Sequence, residues 1–126
     1  MTTADMTTAD MTTADIARQF TTALQAGKYE DAERLWSDDV VSLEAQDGPM
    51  KEARGRAAVH AKADWWFTNH DIHKFETAGP FVNGDQFTLR FAIDVTQKAT
   101  GNRVQMDEVG LYTVRGGKIV EERFFY

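Results

Sequence analysis

The spacing of hydrophobic positions along this chain changes once, from a helical to a strand period. Ile16, Phe20 and Leu24 recur every four residues, which lines one face of a helix, and Gly27 supplies its stop. Tyr29, Ala32 and Trp36 mark a short second helix after Lys28. Beyond Asp38 and Asp39, Val40-Val41-Ser42-Leu43-Glu44 reads as a short strand and Gln46-Asp-Gly-Pro49 as loop chemistry. A third helix, starting near Gly55, carries Val59, Ala63, Trp66 and Phe67 on one face. After Asp71 the chain turns to strands: Phe75 to Ala78, then Phe81-Val82, then a turn at Asn83-Gly84-Asp85. From Gln86 to Gln97 the residues Phe87, Leu89, Phe91, Ile93 and Val95 alternate strictly. A turn at Ala99-Thr-Gly-Asn102 leads to a strand from Arg103 to Val114. The turn Arg115-Gly-Gly-Lys118 then leads to a closing strand from Ile119 to Tyr126.

Three helices followed by a long antiparallel meander predict an α+β domain. The apolar face of 86–97 needs a cover, and only the helices can supply one. A curved antiparallel sheet wrapped around three N-terminal helices gives a cone with an interior pocket. Ahead of this pattern, Met1-Thr-Thr-Ala-Asp5 repeats as Met6 to Asp10 and Met11 to Asp15. A period of five matches neither helix nor strand, so the repeat encodes no packed face. Residues 1–15 therefore read as a low-complexity leader and 16–126 as one domain. The last copy has a local use: Thr12 can cap the first helix, with Asp15 as the capping-box acid.

Composition narrows the partners. A chain of 126 residues fits one shared core, and three Trp with eight Phe can supply both that core and a lined pocket. A net charge of -6 argues against nucleic acid or an anionic membrane as partner, since both demand clustered Lys and Arg. No apolar run approaches the ~18 residues of a spanning helix, and no secretory signal pattern opens the chain. The absence of Cys removes disulfides, thiolate metal sites and Cys nucleophiles. A cytoplasmic protein is the expectation.

The order of elements, with Trp36-Ser-Asp-Asp-Val-Val41 and Gly117-Lys-Ile-Val120, resembles the nuclear transport factor 2-like superfamily and, within it, the SnoaL-like group of small bacterial proteins. The resemblance covers about Asp15 to Tyr126 and implies the cone-shaped, cystatin-like fold and a homodimer. Its members include ketosteroid isomerases, polyketide cyclases, epoxide hydrolases, dehydratases and non-catalytic binding or association domains, so fold alone does not choose a function. The isomerases offer a residue-by-residue test. Their carboxylate base, near the end of the first strand, falls on Glu44. Their oxyanion hole needs a Tyr on the first helix and a protonated Asp on the penultimate strand. Those positions fall on Phe20 and Val109. Two of three parts are missing, which argues against steroid isomerase chemistry of the usual type.

The residues themselves add candidates. On a helical wheel His70 lies within about 20° of Val59 and would continue the buried face of the third helix. It could exchange protons near neutrality, or simply be a helix-end His held by a backbone carbonyl. His73 lies beyond that helix. His60 and Asp64 have chelating i, i+4 spacing but lack a third ligand and read as a solvated pair. Asp107 and Glu108 are consecutive, so one points inward and the other out. A two-residue turn at Gly116-Gly117 puts Asp107 with Val109, Leu111, Glu122, Phe124 and Tyr126. A three-residue turn would instead bring in Glu108 and Tyr112; the superfamily's spacing favours the first. The alternative is a sheet face at an edge or dimer interface, its acids paired with Arg90, Arg103 or Arg123.

The expectation is a domain that binds an apolar small molecule, with no cofactor or metal, and does acid-base chemistry of the isomerase or cyclase type. Glu44 is the base, His70 or Tyr126 the proton donor, and Phe20 and Trp66 line the pocket. The rivals are a non-catalytic ligand-binding or dimerisation domain, and a hydrolase or dehydratase with a positioned water.

Overall fold

A computed structural model describes residues 11–126. The elements run α1 (Thr13–Gln25), α2 (Tyr29–Glu33), β1 (Trp36–Leu43), β2 (Glu52–Arg54), α3 (Arg56–Asn69), β3 (His70–Asn83), β4 (Gln86–Gln97), β5 (Arg103–Arg115) and β6 (Lys118–Phe125). The first two copies of the repeat lie outside the described residues. In the third, Thr12 Oγ1 accepts from the Asp15 amide at 3.1 Å and Asp15 Oδ2 from the Thr12 amide at 3.0 Å. This capping box satisfies two amides that the first turn leaves open.

Six strands form one curved, unclosed sheet in the order β2-β1-β6-β5-β4-β3. The fold is the expected α+β cone, with α1 packed across β3, β4 and β5 and α3 against β1, β2 and β3. Its filled end is built from Ile16, Phe20, Phe87, Leu89, Tyr112 and Ile119, all buried. The Phe87 and Tyr112 rings stack at 4.8 Å, and Phe20 closes on Tyr112 at 4.9 Å. Phe20 thus works as core where the isomerase comparison needs a hydroxyl.

Long-range pairing decides the structure at three places. Trp36 opens β1 rather than closing a helix, because β1 runs parallel to β6 with Trp36 opposite Ile119. The polar segment Glu52–Arg54 becomes a strand by pairing with Val41 to Leu43. The third helix stops at Asn69, and His70 begins a fourteen-residue strand paired along β4. Pattern and propensity are weak against such pairing.

The closing hairpin holds the main correction. Its turn has two residues, as expected, with Gly116 and Gly117 at φ 60° and 74°. Arg115 pairs with Lys118 and Val114 with Ile119, but the next pair is Thr113 with Glu121. Val120 is the extra residue of a β-bulge, and beyond it every facing is reversed. Tyr112 therefore sits opposite Glu122, while Asp107, Val109 and Leu111 belong to the opposite face. The physical reason is in the side chains: Tyr112, Val114, Ile119 and Glu122 are all buried. Ile119 and Glu122 are three apart, a spacing that no regular strand places on one face.

Candidate functional site

The open end of the cone holds a cavity of about 540 Å³. Its apolar wall comes from Phe20 on α1, Trp66 on α3, Phe75 on β3 and Phe91 on β4. Only Val59 on α3 is fully buried, and Ala63 and Trp66 are half-buried because their face meets this hollow rather than packed core. The polar end is built by Glu44 after β1, Lys62 on α3, Glu108 on β5, Glu122 on β6 and Tyr126 at the rim.

Lys62 organises this end. Its side chain is only 14% exposed, and Nζ lies 3.3 Å from Glu44 Oε2. That contact is an ion pair without hydrogen-bond geometry, since Glu44 Oε2 is buried with no hydrogen-bond partner. Nζ also donates to Ser42 Oγ at 2.6 Å, and Ser42 donates to Glu122 Oε2 at 2.7 Å. Ser42 and Glu122 face each other across the parallel β1–β6 ladder, so the backbone register sets this chain of contacts. The ammonium stands 5.2 Å from the centroid of the Phe124 ring.

Three carboxyls thus share one ammonium, and all three bind their protons more tightly than a free Glu. Burial raises Glu44, and Lys62 opposes the rise. Burial also raises Glu122, against the Ser42 hydrogen bond and the charge of Lys62. Glu108 is pushed up to about 7, first by burial and then by repulsion from Glu44, with Lys62 opposing. Burial, then these three acids, push the Tyr112 phenol well up. Tyr126 rises too, through burial and Glu44, against the backbone amides of Gln46 and Ala45. A carboxyl that titrates near neutrality beside one that keeps an ammonium partner is a pair suited to acid and base roles.

The sequence candidates divide. Glu44, Phe20, Trp66, Glu122, Phe124 and Tyr126 line the cavity. Asp107 and Val109 do not: Asp107 is on the outer face, 3.1 Å from Arg90, and Val109 is 39% exposed. Counting to Val109 landed beside the inward acid, Glu108. His70 is also off the cavity wall. Its Nδ1 is 2.7 Å from the Trp66 carbonyl oxygen, and its ring stacks on Trp66 at 4.6 Å, so the helix-end alternative describes it. His73 meets Thr96 Oγ1 at 2.7 Å, and His60 pairs with Glu33 at 2.6 Å. Among the described residues no group of three or more His, Cys, Asp or Glu is placed to hold a metal ion.

Lys62 and Ser42 were missed. The signal for Lys62 was present: it interrupts the apolar face of α3 three residues after Val59 and four before Trp66. A charge on an otherwise apolar helix face needs a partner, and the cavity supplies it.

The SnoaL-like domain family model matches residues 11–126. A solved structure from Mesorhizobium loti, provisionally named a SnoaL-like polyketide cyclase, is 54% identical. The match covers 92% of this chain and 100% of that one, with a TM-score of 0.88. A protein of unknown function with a cystatin-like fold from Xanthomonas campestris is 25% identical over 91% of this chain and 90% of its own, at TM-score 0.72. A nuclear transport factor 2-like protein from Burkholderia thailandensis shares the fold at TM-score 0.79 and 17% identity, with coverage of 91% and 90%. No protein of curated function matches the chain.

Proposed function

This chain belongs to the SnoaL-like domain family, and on that premise we propose that its cone binds an apolar, ring-bearing carbonyl compound and moves a proton on it without a cofactor. The observation that carries this reading is the carboxyl pair at the polar end of an aromatic cavity: Glu44 beside the Lys62 ammonium, and Glu108 titrating at about 7. Glu44 takes a proton from the carbon next to the carbonyl, leaving an enolate. Glu108 returns a proton. Delivered to carbon, it completes an isomerisation; delivered to the alkoxide left when the enolate carbon attacks a second carbonyl, it completes an aldol ring closure. The name carried by the Mesorhizobium protein favours the second outcome. His70 has no part, because its ring is turned to Trp66, while Tyr126 at the rim is a second proton donor.

Exchange of the α-protons of 2-tetralone for deuterium, followed by NMR, tests the reading. The wild type is expected to exceed the buffer rate, and Glu44→Gln to lose about 10²–10⁴-fold while still gaining thermal stability from the ketone. Equal exchange in both proteins would remove Glu44 as base, and no stabilisation by any ring ketone would remove the pocket reading.

A second reading rests on a different observation. Val109 and Phe125 lie opposite each other on the outer sheet, 39% and 50% exposed, with Phe81 at 65% on β3. They fit an association face between two copies of the chain. Sedimentation velocity should show a dimer that Phe125→Glu dissociates; a monomeric wild type would refute it.

A further inference from the structure

Resting on the proton-transfer reading above, we propose that Lys62 makes the polar end of the cavity an oxyanion site for an enolate or phenolate, and that Ser42 and Glu122 are its positioning residues. An enolate forming here would stand among Glu44, Glu108 and Glu122, all cavity-lining acids. Proton transfer to Glu44 moves its negative charge onto the ligand oxygen, beside the Glu122 carboxylate, and without a cation nothing would meet that charge. Lys51, the other lysine on the wall, is half exposed and held by Asp47 at 2.6 Å. Among the described residues Lys62 is the remaining cation on that wall.

Donor counting supports the same assignment. A lysine ammonium has three N–H groups. One goes to Ser42 Oγ, and Glu44 lies 3.3 Å away as an ion-pair partner without hydrogen-bond geometry. Among the described residues the other two make no protein hydrogen bond, and they belong to an ammonium that lines the cavity. A ligand oxygen completes the set. An ammonium can only donate, so Ser42 accepts from Lys62 and gives its own proton to the buried Glu122 carboxylate, which holds the hydroxyl in that orientation. The oxyanion position is therefore preorganised by a contact two residues away from the ligand.

The step balances simply. The α C–H proton passes to Glu44, its electron pair becomes the enolate, and the negative charge on oxygen is met by the Lys62 N–H without proton transfer.

Two probes test the proposal, each used where melting curves show the variant folded. For 2-tetralone exchange, Lys62→Met should lower kcat about 100-fold with KM little changed, the size of losing one oxyanion donor. Lys62→Arg should keep part of the rate, and Ser42→Ala and Glu122→Gln should each lower kcat about tenfold at unchanged KM. If higher pH restores the Lys62→Met rate, the lysine merely keeps Glu44 ionised and the oxyanion role is overturned. The second probe, 2-naphthol, needs no turnover. Bound to wild type it should ionise about one pH unit lower than when bound to Lys62→Met; equal ionisation overturns the proposal. Exchange lost in Glu44→Gln but kept in Lys62→Met would leave the proton-transfer reading standing and refute this one. No exchange in wild type, with the naphthol difference present, would refute turnover and keep the oxyanion site. Failure of both compounds to bind would overturn both.

Discussion

The two faces of one sheet treat acidic residues in opposite ways. On the outer face three acids each have an arginine of their own: Asp94 with Arg103 at 2.9 Å, Asp107 with Arg90 at 3.1 Å, Glu121 with Arg123 at 4.0 Å. Hydrogen bonds from Arg103, before any other cause, hold the Asp94 carboxyl below its ordinary range. On the inner face Glu44, Glu108 and Glu122 share Lys62, and burial raises all three. Residue type does not separate the groups; solvent access and the ratio of cations to acids do. Asp94 with its own arginine is held as a carboxylate, whereas three acids around one cation leave a proton free to move.

Removing the shared cation should break this comparison most severely. Lys62→Met leaves the buried Glu122 and the half-buried Glu44 and Glu108 without a counter-charge, and an unpaired buried charge costs about 3–5 kcal/mol. The loss should be largest at pH 8 and shrink toward pH 6 as the carboxyls take up protons instead. Melting curves across that range check it. A pH-independent loss would mean that packing, rather than charge, was removed.

The next effect concerns what fixes the inner face. Gly110 lies on β5 between Glu108 and Tyr112, and a Cβ there would stand 2.8 Å from the Tyr112 ring. That ring cannot yield, being stacked on Phe87 and packed against Phe20. Gly110→Ala should therefore destabilise the fold by about 1–3 kcal/mol, as overpacked cores do. Chemical denaturation measures it, and a neutral result would show that the strand can shift past the tyrosine.

Most of this architecture was legible in the chain because periodicity reports local faces. The alternation of 86–97 and the spacing of Ile16, Phe20 and Leu24 each named the side that became core. Trp66 and Glu122 were legible as cavity-lining for the same reason, and Glu44 through the isomerase comparison. What failed was a single-residue event in the pairing of two neighbouring strands. The bulge at Val120 reversed the facing of β5 against β6, exchanging Asp107 for Glu108. No window of sequence contains that choice, because it depends on Tyr112 filling the space between Phe20 and Phe87. Lys62 was legible but unread, for a lone lysine on an apolar face looks like a snorkelling surface residue until its carboxylates are in place.

A smaller effect comes from Glu108 alone. Its folded pKa of about 7 lies above the ordinary glutamate value of 4.5. Between these values the folded state holds a proton that the unfolded chain has released. Stability should therefore fall as pH rises from 4.5 to about 7 and then level off. Solvent contact reduces the effect to about 1–2 kcal/mol. Glu108→Gln removes the titrating group and should flatten that part of the profile. An unchanged slope would assign it to Glu44 or Glu122.

The smallest effect tests the outer side of the comparison. Asp107 and Arg90 are each more than half exposed in their 3.1 Å pair. Water already solvates both charges, and holding two long side chains together offsets much of the attraction. Asp107→Asn should change stability by less than about 0.5 kcal/mol and leave 2-tetralone exchange untouched. The neighbouring Glu108→Gln keeps its size but loses its titration, and should lower exchange about 10²-fold or more if Glu108 is the returning acid. Side by side, the two amides ask whether one residue along β5 separates a solvated ion pair from a proton carrier. Loss of exchange in Asp107→Asn would mean that the bulge at Val120 does not hold in solution and that the regular hairpin register is the true one.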